Sequence, residues 1–368
     1  MKVLVICHLL SVGGVNAGWR NRSIYLKKHG IDTEFLYTTD LGGLHIMEDV
    51  ARVYLTKDEN EIIGIIQSNN YDAIIVIDTK DAYTWIRKSG FAGPVIIEAH
   101  TPEIIKLQPH LKSLKTIKPK SIIVPSNYQK RVVSILIESK QVEVIYNGVD
   151  LSFFRPLLER EIDYSSEPIL ATDKKIIGWI GHLDNRKNWQ MLLKIAKRIK
   201  KERNDIEFWV IGGAQSLQRA EFAAKWQEES LSDIVKWHPV IPYHQMPNVY
   251  AKIRKSGGCT LATTKSESFG ITYIESMACG IPVVAPNMMP VTELVLQEKT
   301  GMLYYGQKVD DAVKKLYSII DAPGLQQQIS RAAIQHVKQH FAIEVVADQY
   351  LDLLYEIIYG DQLRGDQS

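Results

Sequence analysis

The 368-residue sequence holds only three cysteines, Cys7, Cys259 and Cys279. They share no metal-ligand spacing and form no even disulfide framework, so a reducing compartment is expected. No His/Cys/Asp cluster has ligand spacing, and the tripeptide D-x-D occurs nowhere. Both absences argue against a bound metal as the partner of a phosphate. No run approaches the roughly 18 apolar residues needed to span a bilayer. The opening MKVLVICHLLSVGG carries minimal charge and runs straight into glycines. A first strand entering a glycine-rich loop is therefore favoured over a secretory signal, and the protein is expected in the cytoplasm. Neither charge sign dominates: 44 Lys and Arg face 42 Asp and Glu, a net charge of +2, which gives no reason to expect a nucleic-acid partner. Tandem repeats and low-complexity segments are absent too. The dinucleotide fingerprint G-x-G-x-x-G fails, because the early glycines stand at 13, 14 and 18.

What is present has the organisation of a chain that starts twice. KVLVIC (2–7) is a buried-strand pattern leading to Gly13, Gly14 and a helix through Trp19 to Lys28. KIIGWIG (175–181) repeats it, leading to a polar loop and a helix from Trp189 to Lys200. Further strands are expected at Thr33–Tyr37, Ala73–Ile77, Val95–Glu98, Ser121–Val124 and Val142–Tyr146. After the second start they are expected at Glu207–Ile211, Ile234–Trp237, Gly258–Ala262 and Pro282–Ala285. Strands separated by helical stretches imply an α/β fold with doubly wound parallel sheets. The chain is too long for one core, and the aperiodic polar stretch Glu159–Lys175 reads as the linker. This gives Rossmann-like domains over 1–160 and 170–344, the first completed by a C-terminal helix over about 345–368.

The most informative stretch is ESFGITYIESMACGIPVVAP, residues 267–286. Glu267 and Glu275 stand eight positions apart and bracket the turn at Phe269 and Gly270. The order is loop, helix, Gly-Pro stop and buried strand, as in a βαβ unit whose loop faces a ligand. A helix opening at Phe269 or Gly270 aims free N–H groups and its positive dipole end into that loop, which suits phosphate. Glu275 would lie about 8 Å further along the axis, roughly the reach from a diphosphate to ribose hydroxyls.

The acidic spacing, the SFG turn, the ESMACG helix and the PVVA strand together resemble the E-x7-E region of the retaining GT-B glycosyltransferases, the "glycosyl transferases group 1" family. The resemblance runs from residue 2 to about 345, strongest over 175–300 and weakest over 38–94. It implies two Rossmann-like domains facing a cleft and a retaining, metal-independent transfer of sugar from a nucleotide diphosphate sugar to an acceptor hydroxyl. By that resemblance Glu267 holds sugar hydroxyls and Glu275 the ribose. Lys187 and the Ser268–Ile271 amides, including those of Phe269 and Gly270, hold the diphosphate. The Gly13–Gly14 loop approaches the donor phosphate or the acceptor. His100, at the end of the strand in IIEAHTPEIIK, is expected to face the ligand and contact the donor sugar near its reacting carbon. No cofactor is implied.

One position departs from the family. The usual arginine before the clamp lysine is replaced by His182 in IGHLDNRKNW, and Arg186 is the residue able to compensate. An imidazole with an ordinary pKa near 6.5 would add a rate component that falls as pH rises through about 6 to 8. Other family landmarks are SNYQKR, in which Ser126 caps the next helix or meets the cleft, and YNGVDLSFFRP (146–156). The segment from Lys106 to Arg131 carries seven basic residues and no acidic one. A solvated face accounts for it, and so does an anionic lipid headgroup or phosphorylated carrier at the inner face of the membrane. The acceptor is expected to be a glycan, a lipid-linked group or a small molecule, in cell-envelope polysaccharide, glycolipid or other glycoconjugate synthesis.

Two other classes remain open: a non-catalytic sugar-nucleotide-binding protein, and an NAD-type dehydrogenase with Glu34 as its ribose acid. The missing D-x-D yields a first prediction. Excess EDTA is expected to leave the initial transfer rate within about twofold, under about 0.5 kcal/mol. Activity lost to chelation and restored by magnesium or manganese would overturn this electrostatic reading.

Overall fold

The computed structural model describes residues 1–137, 142–164 and 172–365, the last five without their side chains. Residues 165–171 of the expected linker and 366–368 of the expected C-terminal helix lie outside the described residues. The chain divides into two compact units, Met1–Gly148 with Ala342–Ser368, and Val149–Phe341.

The first unit is built on seven strands: β1 Lys2–Ser11, β2 Asp32–Leu41, β3 Arg52–Leu55, β4 Ala73–Ile77, β5 Val95–Glu98, β6 Ser121–Val124 and β7 Val142–Val144. Their order is β3-β2-β1-β4-β5-β6-β7 and every pairing is parallel. The inner strands are near-continuous apolar runs because helices cover both faces. Leu4, Ile6, Ile74, Val76, Ile97 and Val124 share one core cluster with Ile62, Leu107 and Val133 from the covering helices. The C-terminal helix Ile343–Gly365 returns to this unit and packs on the helix Gly14–Lys28, with the Tyr350 and Trp19 rings edge-on at 5.5 Å.

The second unit carries six strands: β8 Lys175–Ile180, β9 Ile206–Ile211, β10 Val235–His238, β11 Cys259–Leu261, β12 Val283–Pro286 and β13 Gly301–Tyr304. They run in the order β10-β9-β8-β11-β12-β13, again all parallel. The helix Trp189–Lys200 lays Leu192, Ile195 and Ile199 on Ile177, Phe208 and Val210. Tight backbone approach shapes this sheet. A Cβ on Gly258 would stand 1.8 Å from the Ile176 carbonyl oxygen of the neighbouring strand.

Two strands go beyond the sequence expectation, β3 and β13, and both are sheet edges. RVYL in β3 is half-exposed and lacks the apolar run that marks an inner strand. In each sheet the strand order reverses once, at β1/β4 and at β8/β11. Ligands of open parallel sheets bind outside the carboxyl ends of the strands at such a reversal.

Candidate functional site

In the second unit the carboxyl ends of β8 and β11 feed two loops, 181–188 and 262–270, and hydrogen bonds fasten one to the other. Thr263 Oγ1 lies 2.8 Å from the Lys187 carbonyl and 3.0 Å from that of Asn188, and accepts from Trp179 Nε1 at 2.9 Å. Thr264 Oγ1 lies 2.8 Å from the Ser266 carbonyl and 3.0 Å from that of Arg186, which also accepts the Lys265 N–H at 2.8 Å. Asp184 Oδ1 accepts the Lys187 N–H at 2.6 Å, and Asn188 turns the chain into the helix with a left-handed φ of 54°. A small cavity beside this junction is lined by Trp179, Ile180, Lys187, Thr264, Thr272 and Tyr273, among others.

The fastening brings the predicted charges together. Glu267 is buried, with Lys187 Nζ at 2.6 Å on Oε2 and Arg186 Nη1 at 3.3 Å on Oε1. Burial pushes its carboxyl up, but Lys187 and Arg186 outweigh burial and hold it below its ordinary value. Its carboxylate also takes the Ser268 amide, so that N–H is already engaged. Gly181 lies against the lysine stem: a Cβ there would stand 3.4 Å from the Lys187 methylenes, an ordinary contact. Arg186, whose direction sequence leaves open, thus points at Glu267, with Asp184 Oδ2 3.7 Å from its Nη2.

Gly270 stands at φ 103° and precedes the helix Ile271–Ala278, which no side chain caps. A Cβ on Gly270 would lie 2.4 Å from the Tyr273 ring, so both conformation and space demand glycine. Phe269 turns inward, its ring 6.1 Å from that of Phe341, and Ile271 is buried. Glu275 is buried on the same helix, and among the described residues no cation pairs with it. Tyr250 Oη donates to its Oε2 at 3.0 Å, and burial still raises the carboxyl to about 7.

His182 corrects a sequence expectation. Burial depresses its imidazole; Asp184 opposes this, while Arg186 and Lys187 depress it further. Its titration therefore lies below the ordinary value, which moves any His182 component of the rate to lower pH than an unperturbed imidazole would give.

His100, Gly13 and Gly14 belong to the first unit. Gly13 is extended (φ −162°) and caps the helix Gly14–Lys28 without a side chain, so left-handed freedom is not its role. His100 follows β5, two residues after Glu98. It is 6% exposed, and its Nε2 donates to buried Glu98 at 2.7 Å. Ser126 Oγ accepts the Gln129 N–H at 3.1 Å, a helix-capping bond. Asn147 of the YNG landmark packs its side chain where a Cβ on Gly18 would intrude at 2.9 Å. Glu34 sits near the amino end of β2, bonded to Lys2, Tyr54 and Tyr71. A dehydrogenase's ribose acid belongs at a carboxyl end, so that alternative loses its residue.

Asp184, Thr263 and Thr264 escaped the sequence reading, as did Gly212 and Gly213, left-handed at φ 105° and 88°. The glycine pair directly after IEFWVI was a usable turn signal; the threonines carried none. Among the described residues no three or more His, Cys, Asp or Glu are grouped to hold a metal ion.

Residues 162–336 match the family described as "Glycosyl transferases group 1". The chain is 25% identical over 303 residues to a D-inositol 3-phosphate glycosyltransferase of Thermomonospora curvata, covering 75% of this chain and 68% of that protein. It is 27% identical over 222 residues to the protein of that name from Kribbella flavida, covering 57% and 50%. The chain spans about half the length of most of the curated relatives it matches. HepE of Anabaena, solved with UDP and glucose, superposes with a TM-score of 0.80 at 16% identity over 97% of this chain and 100% of that one. Sucrose-phosphate synthase from Thermosynechococcus elongatus gives 0.79 at 18% identity over 98% and 99%. These likenesses identify the fold as GT-B, two Rossmann-like parallel-sheet units.

The raised Glu275 carboxyl generates a prediction. An acid with a folded pKa above its unfolded one stabilises the native state below the unfolded value, and that stability is lost as pH rises through the folded value. The wild type is expected to lose about 1 kcal/mol between pH 6 and 8 from this group. Glu275→Gln should flatten that loss in thermal melts, and parallel curves for the two proteins would refute it.

Proposed function

Since residues 162–336 belong to the glycosyl transferases group 1 family, we propose that this chain transfers a sugar from a nucleotide diphosphate sugar to an acceptor hydroxyl with retention of configuration. The observation that carries the reading is the Arg186–Lys187–Glu267 constellation beside the uncapped helix at Gly270. The donor diphosphate meets Arg186, Lys187 and the amides that open that helix, and Glu267 accepts from sugar hydroxyls. Glu275 accepts from ribose hydroxyls. The bond between the anomeric carbon and the β-phosphate oxygen breaks as the acceptor oxygen bonds the same face. The acceptor proton passes to the departing phosphate oxygen, giving a glycoside and a nucleoside diphosphate. Two cations facing the leaving group do the work of a divalent ion, because charge developing in a desolvated site is stabilised by preorganised donors. Arg186 supplies a permanent charge there, whereas burial lowers the His182 imidazole.

The donor panel begins with UDP sugars, since HepE was solved with UDP and glucose. Inositol phosphates lead the acceptor panel, since the matched relatives carry that name. Glu267→Ala is expected to lower transfer by about a hundredfold or more, on the order of 3 kcal/mol, and Glu275→Ala chiefly to weaken donor affinity. Near wild-type kinetics in both would sink the assignment. A non-catalytic binder of the same fold would instead show donor-induced thermal stabilisation with neither transfer nor slow donor hydrolysis.

Peripheral contact with an anionic bilayer is part of the proposal. All seven basic residues from Lys106 to Arg131 are exposed. The helices Ile104–Lys112 and Asn127–Ile137 pack together and leave Ile105 88% and Ile135 78% exposed beside them. Among the described residues no helix is long and apolar enough to cross a membrane, so the fit is to its surface. Co-flotation with phosphatidylglycerol vesicles but not with phosphatidylcholine vesicles is expected. Lys112→Glu/Lys115→Glu should weaken it by about tenfold or more, and Ile105→Asp should weaken it as well. Equal binding to both vesicles, or loss of a concentration-dependent dimer in Ile105→Asp, would assign the surface elsewhere.

A further inference from the structure

Glu98 closes β5 with no solvent exposure, and three donors converge on it. Arg22 Nη1 lies 3.1 Å from Oε1, while Trp19 Nε1 and His100 Nε2 lie 3.0 Å and 2.7 Å from Oε2. Burial opposes its charge, but Arg22 and then His100 hold the carboxyl down to about 2. The guanidinium is enclosed as well, 4.6 Å from the Trp19 ring and 4.2 Å from that of Tyr350 on the C-terminal helix. Trp19 and Arg22 stand on the helix that begins at the Gly13–Gly14 loop. One carboxylate therefore ties together two features that the sequence marks for ligand contact.

The histidine is held from its backbone too. Its N–H donates to the Asp78 carboxylate at 3.1 Å, Thr101 Oγ1 donates to the same group at 2.8 Å, and Gln129 Nε2 donates to the Thr101 carbonyl at 2.8 Å. Packing alone gives no reason for such an arrangement. A buried ion pair is commonly no more stabilising than an apolar replacement of similar volume, whereas rigid support is what a ligand-contacting group requires.

We propose that Glu98 is a positioning residue for His100: its carboxylate takes the Nε2–H, fixes that tautomer and ring plane, and leaves Nδ1 as the acceptor for a hydroxyl of the bound sugar. In a neutral imidazole one nitrogen donates and the other accepts. Nδ1 has no hydrogen-bond partner among the described residues. The proposal rests on the reading that His100 meets the donor sugar.

Two arms test it. In wild-type protein labelled with ¹⁵N-histidine, with His100 assigned by the signal lost in His100→Gln, long-range ¹H–¹⁵N spectra at pH 8 should show the Nε2–H tautomer alone. An Nδ1–H form or a tautomer mixture overturns the proposal without reference to activity. Because Glu98→Gln strands a buried arginine, the kinetic variant is the paired Glu98→Met/Arg22→Met, which removes both charges. It should stay folded, mix the His100 tautomers and lower kcat by on the order of a hundredfold with donor KM within about threefold. Wild-type kcat in the folded double variant overturns the proposal, and if that variant does not fold the wild-type spectrum decides. Absence of transfer by the wild type with every donor would instead count against the proposed function, leaving the tautomer result standing.

Discussion

The second unit depends on one constraint: a carboxylate taken out of water must keep its counter-charges. Glu267 is buried at the end of a loop, and a buried carboxylate without partners would protonate or unfold its surroundings. Lys187 and Arg186 supply the charge from a loop eighty residues earlier in the chain. Thr263 and the Lys265 N–H fasten the two loops through main-chain carbonyls. The β8/β11 reversal puts those loops side by side, so sheet order, threonine hydroxyls and ion pairs form one connected argument for the site.

Glu267 and Glu275 show how environment separates two identical side chains. Both are buried, yet the first is held below its ordinary value by two cations and the second is raised by burial with only a tyrosine hydroxyl to offset it. One is a permanent anion that polar hydroxyls can meet, and the other changes charge near neutrality. The motif that pairs them in sequence does not distinguish them chemically. Glu98 extends the contrast in the first unit, where a fully enclosed carboxylate stays ionised because Arg22 and His100 converge on it.

Much of the fold was legible beforehand because its signals are local. Apolar runs gave the inner strands, the helix Trp189–Lys200 carries an apolar stripe, and Gly280 with Pro282 stops a helix before a buried strand. The edge strand β3 was not legible, since RVYL is half-exposed and carries no continuous apolar run, whereas β13 is buried but only four residues long.

The site divides along the same line. By itself the sequence determined which residues carry charge, where glycine is unavoidable, and that Glu267, Gly270 and Glu275 share one loop and helix. Only tertiary structure decided that Arg186 turns toward Glu267, that burial lowers the His182 imidazole, that burial raises the Glu275 carboxyl to about 7 and that His100 is tied to Glu98. The physical reason is common to all four. Periodicity and turn chemistry act between residues a few positions apart, whereas side-chain direction and proton affinity are set by burial and by charges that folding brings from elsewhere in the chain.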